Sequence, residues 1–233
     1  PSYMKAPLQV SYGGTTVNGP DAEYLNPAYY DGIGYDYADY LVRVIQACIA
    51  AGYTGIRGIS FQNEPEIATG YDSCKWDPVA YKTVAKQLRT KLNAASLNPV
   101  KILGPDVASQ NEVVTYLGTA SSSGFSEFAA DPVFRDSIEF SWHSYATDRN
   151  FRVRDAMLAY PTKERWMTET SRGEDYALLP AYRANSGNEQ VDWVLNAARV
   201  MARDIVDFKA QNWFWWRGWR NGSVPLNEDL VYG

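Results

Sequence analysis

Apolar positions along the chain change period several times, and each change marks an element. Over Asp36 to Ala51, Tyr37, Leu41, Val44, Ile45 and Cys48 recur at helical spacing, which predicts an amphipathic helix. Asp36 is placed to cap its start and Gly52 to end it. The short run Gly58 to Gln62 predicts a strand. Asp77-Pro78 opens a second helix, with proline at the first helical position and Tyr81, Ala85, Leu88 and Leu92 as its buried stripe. Val100 to Gly104 reads as a strand, Asn111 to Leu117 as a short helix, Ile138 to His143 as a strand, and Arg152 to Ala159 as a helix. Arg165 to Thr168 is a further strand. Val191, Val194, Leu195, Ala198, Met201, Ala202 and Ile205 mark a long helix, and Asn212 to Trp216 a last strand.

Buried strands alternating with helices predict a parallel sheet covered by helices. An open doubly wound sheet and a (β/α)8 barrel both satisfy that pattern. A nucleotide-binding open sheet carries a glycine-rich phosphate turn, and Gly32-Ile33-Gly34 lacks the third glycine of that motif. Polar and acidic residues instead gather just after strands, where barrel enzymes place their chemistry. The expectation is therefore an α/β fold of the (β/α)8 TIM-barrel type, with residues 1–233 in one catalytic domain and no internal repeat.

Composition narrows the function. The net charge of −5 argues against tracking a nucleic-acid backbone, and no apolar run is long enough to predict a membrane span. Two cysteines, Cys48 and Cys74, make neither a disulfide framework nor a four-ligand metal site. The single histidine, His143, excludes histidine-pair zinc motifs. Aromatic residues reach 14% of the chain, which fits either a large core or a ring-lined cleft for sugars.

Two segments hold the candidate chemistry. In Ser60-Phe61-Gln62-Asn63-Glu64-Pro65-Glu66 a carboxylate follows a strand directly and is fixed by the next proline. In Glu164-Arg165-Trp166-Met167-Thr168-Glu169-Thr170 a strand again ends in a carboxylate. Either alone is equally a loop ion pair or an exposed strand end. Together, at the ends of two strands of one barrel, both would face a common mouth. Two carboxyl groups about 5–5.5 Å apart are what retaining glycoside hydrolysis requires. One donates a proton to the leaving oxygen and the other, ionised, attacks the anomeric carbon. Mutual repulsion would raise one pKa while hydrogen bonds keep the nucleophile charged.

Asn63-Glu64-Pro65, the His143 and Tyr145 pair in SWHSY, and WMTE ending at Glu169 resemble the clan A glycoside hydrolase barrels. With PSYMK at the start, SFQNEPE, and the tryptophan-rich NWFWWRGWRNG, the chain most resembles glycoside hydrolase family 30 over nearly its whole length. That family includes glucosylceramidases, xylanases, β-1,6-glucanases and β-1,6-galactanases. The resemblance implies that Glu64 is the general acid/base at the end of barrel strand 4 and Glu169 the nucleophile at the end of strand 7. It implies that Asn63 holds the sugar 2-hydroxyl and Tyr145 orients the nucleophile. His143 falls where these barrels carry a site-wall histidine, and a satisfied core histidine fits equally. Trp216 or Trp213 would floor the sugar, and Tyr3 and Trp142 are weaker wall candidates. Arg220 falls near an arginine that in some xylanases of the family reads a glucuronic acid branch, but Arg217 replaces the accompanying tyrosine, and a solvent-facing loop arginine remains the commoner case.

The implied partners are a β-linked oligo- or polysaccharide, with neither cofactor nor metal. The site of action would be extracellular, as is usual for such enzymes. Rival readings are a β-glucuronidase, xylosidase or arabinofuranosidase of the same clan, a non-catalytic carbohydrate-binding barrel, and a nucleotide-dependent α/β enzyme. The strand count departs from the family. The five predicted strands would be barrel strands 4 to 8, leaving out strands 1 to 3, the strand 2 arginine and the C-terminal β-sandwich. The expectation is an incomplete barrel whose missing N-terminal part would complete it, and which alone is marginal and inactive.

Overall fold

The computed structural model describes residues 11–12, 15–16, 37–67, 75–145, 150–170 and 197–215. β1 (Ser11–Tyr12) and β2 (Thr15–Thr16) pair as a small antiparallel hairpin. α1 (Tyr37–Ala50) follows and ends at Gly52, whose φ of +95 suits a residue without Cβ. There the Gly52 and Tyr53 amides donate to the carbonyls of Ile49 and Cys48. β3 (Gly58–Ser60) leads to α2 (Pro78–Ala94). Asp77 caps α2: its Oδ1 accepts from the Val79 and Ala80 amides at 2.8 and 3.0 Å, with Pro78 opening the first turn. Ala80, Tyr81, Val84, Ala85, Leu88 and Leu92 are its buried face, as the periodicity predicts.

β4 (Lys101–Val107) is followed by α3 (Val113–Leu117), a tight hairpin of β5 (Ala120–Ser121) and β6 (Gly124–Phe125), then α4 (Ser126–Ala130) and α5 (Pro132–Ser137). β7 (Glu139–His143), α6 (Phe151–Leu158), β8 (Arg165–Glu169), helix α7 (197–202, continuing as a wider turn over Arg203–Asp207) and β9 (Asn212–Trp213) complete the described chain.

Five strands form one parallel sheet in the order β3-β4-β7-β8-β9. Spatial order equals chain order, so every crossover steps to the next strand in the same sense. A doubly wound sheet reverses direction at a switch point; this sheet does not. It is the curled half-barrel of a (β/α) barrel, and among the described residues β3 and β9 each pair on one side only.

The core lies between sheet and helices. Phe140 and Trp142 on β7 and Met167 on β8 are fully buried there with Phe125, Phe128, Phe134 and Phe208. Strand alternation sends Ser141 and His143 to the other face, the inside of the barrel. At Gly104 the sheet touches α2 so closely that a Cβ would lie 2.0 Å from the Tyr81 hydroxyl oxygen.

Three expectations need correction. Val44 of α1 is 37% exposed, and Ala38 and Val42 are buried beside Leu41 and Ile45. On α7 the predicted stripe is turned out: Ala198, Met201, Ala202 and Ile205 are exposed, while Ala197, Val200, Arg203, Asp204 and Phe208 face inward. The inward phase is already set at Ala197 and Val200, before the wide turn at Arg203–Asp207, and a buried aspartate is invisible to a search for apolar periodicity. Val191, Val194 and Leu195 lie outside the described residues. The last strand ends at Trp213 rather than Trp216.

Candidate active site

Glu64 and Glu169 both stand at the carboxyl end of the sheet, one just past β3 and the other ending β8. Glu64 is buried at 8% exposure and holds a left-handed backbone with φ 44. Its amide donates to the Asp106 carbonyl at 3.0 Å, tying the turn after β3 to β4. Such conformations are uncommon for a residue with a Cβ and recur at functional sites. A carboxylate oxygen of each glutamate and a ring nitrogen of His143 lie within 4.8 Å of one another. His143 Nδ1 sits 3.1 Å from Glu64 Oε1 and 3.9 Å from Glu169 Oε1. The Tyr145 hydroxyl donates to Glu169 Oε1 at 2.7 Å. The same three atoms could hold a cation with Nδ1 unprotonated, or share a proton with Nδ1 as donor.

Burial pushes the Glu169 carboxyl above the usual range, and the nearby Glu64 and Asp106 carboxyls add to it. The His143 ring and the Tyr145 hydroxyl pull it back without cancelling the rise. Hydrogen bonding therefore does not by itself hold this carboxyl at an ordinary value, contrary to the sequence expectation. His143 is raised as well. Burial opposes its charge, but the hydrogen bond to Glu64 and the fields of Asp106, Glu169 and Glu64 outweigh that. It is thus both deeply buried and in direct contact with the two glutamates. Glu66, next to them, rises from 4.5 to about 7, because burial dominates over the hydrogen bond that Oε1 accepts from the Ala108 amide at 2.6 Å.

No protein-family model and no curated protein sequence matches the chain. Solved structures do. A glycoside hydrolase family 30 subfamily 8 xylanase from Clostridium acetobutylicum superposes with TM-score 0.60 at 20% identity, over 93% of this chain and 45% of that one. SrfJ from Salmonella typhimurium gives TM-score 0.63 at 18% identity, over 93% and 42%. An endo-β-1,6-glucanase gives TM-score 0.52 at 27% identity, over 73% and 35%. The chain has a glycoside hydrolase family 30 fold. It spans less than half the length of each of these structures.

Within that family 30 fold the remaining sequence candidates separate. Asn63 is exposed, and among the described residues no hydrogen bond joins its side chain to the cluster. Trp213 is turned away from the inside of the barrel: its indole Nε1 donates to Asp204 Oδ2 at 3.2 Å and its ring packs against the helix-side core. The reason is strand parity, since Trp213 pairs with Met167, which faces the helices. Trp142 is likewise core, fully buried against Phe208 rather than on a cleft wall. Trp216, Arg217, Arg220, Tyr3 and Cys74 lie outside the described residues, and Cys48 carries a free thiol.

Sequence reading missed Trp166 and Phe214, which stack on the inner face with ring centroids 5.9 Å apart and planes 9° from parallel. It also missed Asp106 and Thr168. The signal for the aromatic pair was available in the parity of WMTE and NWF; Asp106 follows a glycine-proline pair inside a strand, where a bulge is the natural expectation.

Proposed function

We propose that this chain is the carboxylate-bearing part of a retaining β-glycoside hydrolase acting on a β-linked polysaccharide of the xylan, β-1,6-glucan or β-1,6-galactan type. The observation that carries the reading is the approach of Glu64 and Glu169 to within 4.8 Å at the mouth of a curled parallel sheet. That approach supports a retaining pair, whose carboxyls stand about 5–5.5 Å apart, over an inverting pair at about 6.5–9.5 Å. A xylanase and a β-1,6-glucanase among the structural neighbours support the substrate class.

In the first step Glu169 attacks the anomeric carbon, the bond to the leaving oxygen breaks, and Glu64 gives that oxygen its proton. Glu64 then takes a proton from water. The resulting hydroxide replaces Glu169 at the same carbon and restores both carboxyls. Tyr145 holds Glu169 Oε1 in line and steadies its charge before attack. On this reading a complete barrel would be closed by pairing at β3 and β9, which among the described residues each pair on one side only.

The test is covalent trapping in the full enzyme. A 2-deoxy-2-fluoro glycoside slows release of the intermediate, and peptide mass spectrometry should find the sugar on Glu169. In Glu169→Ala, azide should restore turnover and give a glycosyl azide of opposite anomeric form. A label on another residue, or ordinary activity in Glu169→Ala, refutes the assignment.

A further inference from the structure

β7 is flanked by two bulges. In its pairing with β4, Pro105 faces Ser141 and Val107 faces Trp142, so Asp106 is an extra residue. In its pairing with β8, Met167 faces Trp142 and Glu169 faces His143, so Thr168 is extra. Bulges re-aim a side chain, and these two aim at each other. Thr168 Oγ1 donates to Asp106 Oδ1, and also to the Trp142 carbonyl at 3.2 Å. From β3, Ser60 Oγ donates to Asp106 Oδ2 at 2.5 Å. The Asp106 side chain is 5% exposed as a residue, and Oδ1 lies 3.8 Å from His143 Nε2.

This arrangement holds its aspartate in the left-handed region, φ 58, a backbone that residues bearing a Cβ adopt uncommonly. Bonding to Ser60 and Thr168 would not by itself require a charge, since an asparagine amide could meet both hydroxyls. The feature that needs the negative charge is the far side of His143. One ring nitrogen faces Asp106 and the other faces Glu64. Among the described residues Glu169 from β8 is the remaining charged group near the ring, and the Tyr145 ring meets the imidazole edge-on at 5.9 Å.

We propose that Asp106 is a positioning residue that keeps both nitrogens of His143 protonated, so that Nδ1–H grips one oxygen of Glu64 and fixes how that carboxyl is presented to the leaving group. The consequence for Glu64 rests on the glycosidase reading above; the coupling of Asp106 to His143 does not. Asp106 touches neither substrate nor reacting atoms. It acts through the imidazole, whose cation also balances the negative charge that Glu64 acquires when it donates its proton.

Because His143 is the single histidine of the sequence, its two ring nitrogens are identified without further assignment in a chain carrying nitrogen-15 in histidine. The experiment is a pH titration of those signals in the full chain. The wild-type ring should be doubly protonated at neutral pH. Asp106→Asn should move its midpoint down. Thr168→Val should move it up, because Asp106 then loses a donor that shares its negative charge. A neutral wild-type ring at pH 7, or a midpoint that Asp106→Asn leaves in place, overturns the proposal. If Asp106→Asn does not fold, Thr168→Val decides, and an unmoved or lowered midpoint overturns it. The titration needs no substrate, so a chain that never cleaves a glycoside sinks the glycosidase reading without touching the coupling. In an active enzyme, Asp106→Asn should lower kcat and shift its pH profile while KM holds; a wild-type profile overturns the positioning role.

Discussion

Gly104→Ala should destabilise the protein through one contact that can be removed separately. A Cβ built at Gly104 falls 2.0 Å from the Tyr81 hydroxyl oxygen and 3.2 Å from the ring carbon that bears it. Tyr81 cannot swing away: it is 1% exposed and wedged among Phe61, Tyr116 and Phe134, with ring centroids at 4.6, 4.9 and 6.4 Å. Overpacking of this kind costs about 1–3 kcal/mol, and the clash with a confined aromatic belongs at the upper end. Against it stands a gain of about 0.4–1 kcal/mol, because alanine restricts the unfolded chain. The net loss should be about 2 kcal/mol, or a fall in Tm of roughly 4–8 °C for a chain this long. In a Tyr81→Phe background the 2.0 Å contact is gone and the 3.2 Å one asks for a shift of a few tenths of an ångström. There Gly104→Ala should cost less than about 1 kcal/mol, which gives a coupling of at least about 1 kcal/mol in a double-mutant cycle. Urea unfolding of the four proteins measures it. Equal costs in both backgrounds would refute the packing of α2 on β4 described above.

Glu66 ties stability to pH. Its folded pKa of about 7 lies above the ordinary 4.5, so the folded state binds the extra proton between those values and stability falls as pH rises through that window. Glu66→Gln keeps an acceptor for the Ala108 amide, and should raise the unfolding midpoint at pH 8 while leaving it nearly unchanged at pH 4.5. Asp77→Ala removes the two hydrogen bonds that start α2 and should cost about 1 kcal/mol in urea unfolding. Tyr145→Phe should cut kcat of the full enzyme by about 10- to 100-fold, the worth of one hydrogen bond to a charged group, with the unfolding midpoint little changed; an unaltered kcat would remove Tyr145 from the mechanism.

The parts of the fold legible in the sequence were those governed by period and by caps. Asp77-Pro78 fixed the start of α2 to the residue, and the strands before Glu64 and Glu169 were recognisable from short apolar runs. The helices α4 and α5 were not anticipated, because each has only a turn or so of chain and stands on tertiary packing through Phe128 and Phe134. The inward face of α7 was misread because its anchor is polar: Asp204 accepts from Ser144 Oγ at 2.7 Å and from Trp213 Nε1. Trp213 was assigned to the cleft although its pairing with Met167 puts it on the helix side, where it donates to the same buried aspartate. Glu64 and Glu169 were legible because each directly follows or ends a strand, whereas His143 and Tyr145 were picked out only through the resemblance of SWHSY to the clan A barrels. The Asp106 and Thr168 bulges were not, because an extra residue in a ladder is a property of two strands at once.

The agreement between chain order and sheet order bears on how the molecule comes together. Each strand finds its neighbour between roughly 25 and 46 residues further along, and no described strand waits for a partner from the distant end of the chain. Such a sheet can be assembled one strand–helix–strand unit at a time, with each helix sealing the strand before it. The residues of the acid cluster, borne on β7, on β8 and on the turn after β3, are then in register before any ring closure takes place. Closing a full barrel would then be the longer-range event, with the cluster already framed ahead of it.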